Sequence, residues 1–257
     1  MSNKKKIIDE YKRKVDFLIK HNKYYFTKDA PKVTDSKFDK VKKETLELVK
    51  KNPYLEKIIN LSNIIGARPS SKFKKILHLK PMLSLSNAFD RNDMVDFLKK
   101  VNNFLNFKKE NLELFSEPKI DGISATLIYE KGLLVKGLSR GDGVTGEDIL
   151  QNLKTINAIP KKILSKEVPD LLEIRCEIYI GKKDFVNIKE KFANPRNAAS
   201  GSLRQKNSEE TKKIPLNFIA YTYGYFESDR IKKQSDFLSS LKKWGFKINK
   251  HNEVLKT

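Results

Sequence analysis

Apolar residues near the start of the chain recur at helical spacing. Ile7, Ile8, Tyr11, Val15, Leu18 and Ile19 fall close to one stripe across residues 4–20, which predicts an amphipathic helix. Asp29-Ala30-Pro31 reads as a turn. Thr34 or Asp35 can then cap a second helix, with Phe38, Val41, Leu48 and Val49 on its apolar face and Asn52-Pro53 closing it. About sixty residues therefore form a small helical unit, and Gly66-Ala67-Arg68-Pro69-Ser70-Ser71 reads as a linker.

From about residue 114 the period changes to two. Residues 123–129 and 133–138 are β-prone runs joined by Glu130-Lys131-Gly132, a hairpin signal. Residues 172–180 predict a further strand, 183–191 a short helix, 215–226 an aromatic-rich strand and 237–244 a helix. The expected fold class is α+β, with a helical unit over residues 1–69 and a mixed, largely antiparallel domain over 70–257. No internal repeat is visible.

Composition narrows the class. A chain of 257 residues, 39% hydrophobic and 33% charged, has the makings of a soluble protein with one large or two modest cores. Lys4-Lys5-Lys6 is followed at once by Ile7-Ile8-Asp9-Glu10, so there is no apolar leader, and no run is long enough to span a bilayer. A cytoplasmic location is the expectation. Cys176 is the single cysteine, which permits neither an internal disulfide nor a cysteine-rich zinc site. The formal net charge of +21 suits a polyanionic partner, although lysine is spread almost evenly and AT-rich codon usage would produce the same excess.

Three segments carry candidate chemistry. In Glu117-Pro118-Lys119-Ile120-Asp121-Gly122 a lysine sits in a turn-prone, acid-flanked stretch. Its amine must lose a proton before it can attack phosphorus, a carboxylate can take that proton or hold a metal, and Gly122 permits close backbone approach. Ser139-Arg140-Gly141-Asp142-Gly143-Val144-Thr145-Gly146-Glu147-Asp148 contains G-x-G-x-x-G, which keeps a dinucleotide-binding Rossmann turn, and with it an NAD-dependent oxidoreductase, open as an alternative. Against it stand the hairpin origin of the preceding strand and Asp142, whose charge would oppose a pyrophosphate. In Phe192-Ala193-Asn194-Pro195-Arg196-Asn197-Ala198-Ala199-Ser200-Gly201-Ser202-Leu203-Arg204-Gln205 two arginines flank small residues, so both guanidiniums can reach phosphates.

Together these segments resemble the NAD-dependent DNA ligases of bacteria, as do Pro81-Met82-Leu83-Ser84-Leu85-Ser86-Asn87-Ala88-Phe89, Asp29-Ala30-Pro31 and Asp35-Ser36-Lys37-Phe38-Asp39, in order from about residue 21 to 245. The resemblance implies a nucleotidyltransferase (ATP-grasp-like) domain behind a helical domain that binds the nicotinamide mononucleotide half of NAD through Tyr25, Asp35 and Asp39. It makes Lys119 the nucleophile that forms lysyl-AMP and releases nicotinamide mononucleotide, with Asp121 and Glu177 as its catalytic carboxylates. Glu117, Ser84, Leu85, Arg140, Glu177 and Tyr221 would then bind the nucleotide, with Tyr221 stacked on adenine. Glu177 would help site a magnesium ion (Mg2+), and Arg196 and Arg204 would contact phosphate and nicked double-stranded DNA, the acceptor of the AMP.

The chain departs from the family pattern in places. Phe26 and Phe38 replace polar ring residues on the nicotinamide side, Cys176 replaces a glycine, and Ser86 stands where aspartate is frequent. Two later motifs, a strand of the Asp-Gly-Val-Val-Ile-Lys type and a second lysine, are not found before Thr257. The expectation is an adenylation domain without its last strands, completed by a separate polypeptide or surviving as an inactive NAD- or DNA-binding remnant.

Overall fold

The computed structural model describes residues 3–26, 32–59, 73–106, 112–227 and 231–256. The turn expected at Asp29-Ala30-Pro31 and the linker expected at residues 66–71 lie outside them. Two helices, α1 (Asn3–Phe26) and α2 (Asp35–Lys51), lead into a 3-10 turn at Pro53–Lys57. Thr34 caps α2 by accepting from the Lys37 amide at 3.3 Å, and the Asn52 amide donates to Leu48 and Val49 at its other end. The stripe read from the sequence is the face that packs, except at Ile19, which is exposed. Tyr11, Val15, Leu18 and Leu55 are fully buried, with Phe38, Val41, Leu48 and Val49 against them.

The remaining elements follow in order: β1 (Lys75–Leu77), α3 (Arg91–Leu105), β2 (Glu113–Ser116), β3 (Ile123–Glu130), β4 (Leu133–Ser139), β5 (Thr145–Glu147), α4 (Leu150–Lys154), β6 (Leu171–Ile180), α5 (Lys182–Phe185), α6 (Pro195–Leu203), α7 (Ser208–Lys212), β7 (Leu216–Phe226), α8 (Gln234–Lys243) and β8 (Glu253–Lys256). A four-stranded antiparallel sheet in the order β4-β3-β6-β7 forms the body, and two short antiparallel pairs, β1-β5 and β2-β8, flank it. The fold is thus mixed, with every described strand pair antiparallel.

Strand β6 is central, and its alternation sorts two chemistries. Leu172, Ile174, Cys176 and Ile178 point into an apolar core completed by Leu127, Phe218, Phe237 and Trp244. Glu173, Arg175 and Glu177 necessarily share the opposite face. Directly across on β3, Ile128, Thr126 and Ser124 pair with them in register, so the polar groups meet on one side of the sheet.

Two sequence expectations need correction. The helix expected over residues 183–191 is a single turn, α5, because Phe185, Ile188 and Phe192 instead pack on Ala198 and Ala199 of α6. The Rossmann turn is absent: Gly146 lies in β5, paired antiparallel with β1, and Asp142 ties its own loop by accepting from Val144 and Thr145 at 2.9 and 2.7 Å. No helix among the described residues is long and apolar enough to cross a membrane.

Candidate functional site

Strand β2 delivers the chain into the irregular segment 117–120, which carries exposed Lys119 to the polar end of the sheet. Gly122 then turns it onto β3 with no room to spare. A Cβ there would stand 2.3 Å from the Ile178 carbonyl oxygen and 3.0 Å from Glu177 Cγ. The glycine is therefore required by close approach of the lysine segment to β6, and this approach brings Lys119 within electrostatic reach of Glu177. Asp121, at the rim, pairs with Arg196 of α6 at 3.4 Å.

Glu177 is a nearly buried carboxylate at 9% exposure. Burial pushes its pKa above the ordinary range. The Ser124 hydroxyl, donating at 2.8 Å, opposes that shift, as do the charges of Arg196 and Lys119 and the Gly122 amide. Ser124 is also within hydrogen-bonding reach of the Tyr221 hydroxyl, and burial drives the phenol up to about 12. The register explains where the ring sits. Arg175 faces Thr222 and Cys176 faces Ala220, so Tyr221 is the extra residue of a β-bulge, aimed by the local twist.

A second group of contacts straps residues 78–84 to the sheet. The Leu79 amide donates to Glu173 at 2.8 Å, Arg175 donates to the Lys80 carbonyl, and the Met82 amide donates to the Gly143 carbonyl at 2.7 Å. Arg140 then reaches Ser84 Oγ at 2.9 Å, so these two candidate nucleotide contacts are brought together. Leu85, next along, is 77% exposed. Beneath the strap, Glu173 and Arg175 form an ion pair at 2.5 Å with 0% and 5% of their side chains exposed. His78 closes the network against Thr126, Arg175 and the Arg140 carbonyl.

Glu117 stands at the other side of the lysine segment. Partial burial raises its pKa, and a hydrogen bond from Gln234 of α8 opposes the rise. The Nε of Arg204 pairs at 3.2 Å with Glu147, which is 1% exposed. Asp39 is half-buried on α2. Tyr25 lies in the last turn of α1 and Asp35 begins α2, but their side chains lie outside the described residues. Lys43 of α2 pairs with Asp93 of α3 at 3.2 Å, linking the helical unit to the rest.

Of the departures noted above, Phe38 packs into the helical core and Cys176 into the sheet core, where burial raises its thiol pKa. The cysteine faces away from Glu177, so it leaves the polar side of β6 unchanged. Among the described residues no group of three or more His, Cys, Asp or Glu side chains is gathered to hold a metal. Glu177 is a buried carboxylate within electrostatic reach of the lysine, and one carboxylate plus substrate phosphates suits magnesium, which keeps most of its ligands as water and phosphate oxygen. Sequence reading missed Ser124, His78, Arg175 and Gln234. Their residue types carry no motif, and only register and packing bring them to the site.

Comparison with known proteins gives the family. The family model described as NAD-dependent DNA ligase adenylation domain matches residues 70–257. The chain is 54% identical over 254 residues to a DNA ligase of Pelagibacter ubique, covering 98% of this chain and 38% of that protein. It is 42% identical over 250 residues to a DNA ligase of Parvibaculum lavamentivorans and 44% identical over 247 residues to one of Rickettsia massiliae, covering 94% and 93% of this chain and 35% of each relative. It spans little more than a third of these relatives' length. With a lysine segment held against a buried glutamate, an arginine on a serine strap and a match across the sheet domain, the chain belongs to the NAD-dependent DNA ligase adenylation-domain family.

Proposed function

We propose that this chain carries out the self-adenylylation step of NAD-dependent DNA ligation. The observation that carries the reading is the approach of the Lys119 segment to Glu177, enforced at Gly122, on the face that also presents Tyr221. Lys119 Nζ, once deprotonated, attacks the adenylyl phosphorus of NAD. A P–N bond forms, the pyrophosphate bridge breaks and nicotinamide mononucleotide leaves with its electron pair. Asp121 sits beside the nucleophile to accept or relay its proton, while Glu177 contacts the ribose and holds magnesium, which when bound offsets charge on the pyrophosphate.

Tyr221 offers its flat face to the adenine, with Glu117 at the base edge. Ser84, Leu85 and Arg140 line the nucleotide, and Arg196 and Arg204 meet phosphates of the nucleotide or of nicked DNA. Residues 1–69, through Tyr25, Asp35 and Asp39, serve the nicotinamide half, and residues 70–257 are the adenylation domain. Transfer of AMP to the 5′-phosphate of a nick follows in this reading.

The test is direct. The purified chain is incubated with NAD and magnesium beside a Lys119→Ala control, and the intact masses are read. A gain of one AMP on the parent alone is the expected result. No gain on either chain, with AMP still bound in calorimetry, makes this a nucleotide-binding module instead of a transferase.

A further inference from the structure

Gln234 opens α8, and its half-buried side chain joins parts of the molecule far apart in sequence. Nε2 donates to the Tyr221 carbonyl at 2.5 Å and to Glu117 Oε2 at 3.3 Å, while Oε1 accepts from Thr222 Oγ1 at 3.3 Å. A primary amide has two N–H donors and one carbonyl acceptor, so each is matched here. The reverse orientation would set the amide oxygen against a carbonyl and a carboxylate, a mismatch that the Thr222 hydroxyl, able to donate or accept, would not offset. The partners therefore determine which way the amide points.

This has a consequence for the base. A carboxylate that accepts a donor at one oxygen keeps lone pairs free at the other, and where that oxygen meets the edge of the base it acts only as an acceptor. An acceptor at that edge attracts an exocyclic amino group and repels a carbonyl oxygen, the difference between a 6-amino and a 6-oxo purine. Tyr221, whose carbonyl the same amide grips, supplies the stacking face. We propose that Gln234 is a positioning residue that holds the Glu117 carboxylate and the Tyr221 backbone in register, so that the site selects a 6-amino purine over a 6-oxo purine. The inference rests on the reading above that Glu117 and Tyr221 line the base. It adds a residue from outside the three motif segments, and a discrimination that contact with Tyr221 alone cannot supply, since stacking does not tell the two purines apart.

The experiment compares initial rates of adduct formation with NAD and with nicotinamide hypoxanthine dinucleotide, in magnesium, for the parent chain, Gln234→Ala and Gln234→Glu. The parent is expected to prefer NAD. Losing one hydrogen bond to a charged group should lower that preference about tenfold in Gln234→Ala, through KM for NAD, with kcat changing less than about threefold. Gln234→Glu should lose at least as much, because it sets a carboxylate against a carboxylate. Binding of AMP and IMP by calorimetry reads the same preference without chemistry, and Gln234→Met, which keeps the stem, replaces any variant whose circular dichroism shows it unfolded. A parent that forms the adduct while the variants keep its full preference overturns the inference and leaves the proposed function standing. A fall in kcat at unchanged preference overturns it equally. A parent that forms no adduct overturns the transferase reading alone, and the inference then falls if calorimetry shows parent and variants with the same preference for AMP over IMP.

Discussion

His78 is held by three polar groups that between them decide its tautomer. Nδ1 faces Arg175 Nη1 at 3.1 Å and Thr126 Oγ1 at 3.2 Å, and Nε2 faces the Arg140 carbonyl at 3.1 Å. A guanidinium can only donate, so Nδ1 is the acceptor and Nε2–H donates to the carbonyl. Burial lowers the His78 pKa, and Arg175 adds to the effect against the opposing pull of the Arg140 carbonyl. The folded protein thus keeps this ring neutral where the unfolded chain would already take a proton. The contribution is complete above the unfolded pKa of about 6.5 and is lost as pH falls from there toward the lower folded value. In thermal unfolding, the midpoint difference between parent and His78→Gln should shrink as pH is lowered through this window. A difference that grows on acidification would mean the ring is charged in the fold.

Among the elements, the strap at residues 78–84 depends most on one strand. Glu173 and Arg175 of β6 hold it from below, and their ion pair is removed from water. Deleting one partner of such a pair leaves a buried charge, whereas replacing both by apolar groups does not. Arg175→Met should therefore cost about 3–5 kcal/mol in denaturant unfolding, and Arg175→Met combined with Glu173→Leu should recover most of it. Double-variant stability no better than the single would show that the strap contacts, not the ion pair, carry the cost. Helix α3 illustrates a signal present but unread. Asp90 caps it by accepting from the Asp93 amide at 3.0 Å, and Asn106 ends it in the left-handed region with φ 52°. Asp or Asn at either end of a stretch with Met94, Phe97, Leu98 and Val101 at helical spacing was enough to find it.

For the molecule as a whole, 53 basic against 32 acidic side chains set the long-range field. In the proposed function this charge meets a nicked duplex, and affinity should fall linearly on a log–log plot against salt. If Arg196 meets a phosphate, Arg196→Ala should reduce the slope by about one with little loss of stability. Arg204→Ala should differ, because Arg204 also neutralises buried Glu147 and its loss should lower the unfolding midpoint as well. Equal stability of the two variants would place the Glu147 pair among the inconsequential ones.

Much of the architecture was legible along the chain because it is local. Helical spacing located α1 and α2, the Thr34 cap stands where it was expected, and alternation with a Lys131-Gly132 turn gave the β3–β4 hairpin. Lys119, Arg140 and the arginine segment were visible as motifs because neighbouring residues in sequence carry them. Tertiary structure decided what depends on register and on distant partners. It put Ser124 opposite Glu177, 53 positions away, made Tyr221 a bulge residue, gave Arg204 to Glu147, and brought Gln234 to Glu117 across 117 positions. A one-residue slip of β6 would exchange its polar and apolar faces, and no local pattern records which strand lies beside it. The nucleophile could be read from a short segment of sequence; the groups that orient its surroundings are set by strand pairing and burial, which only the packed chain defines.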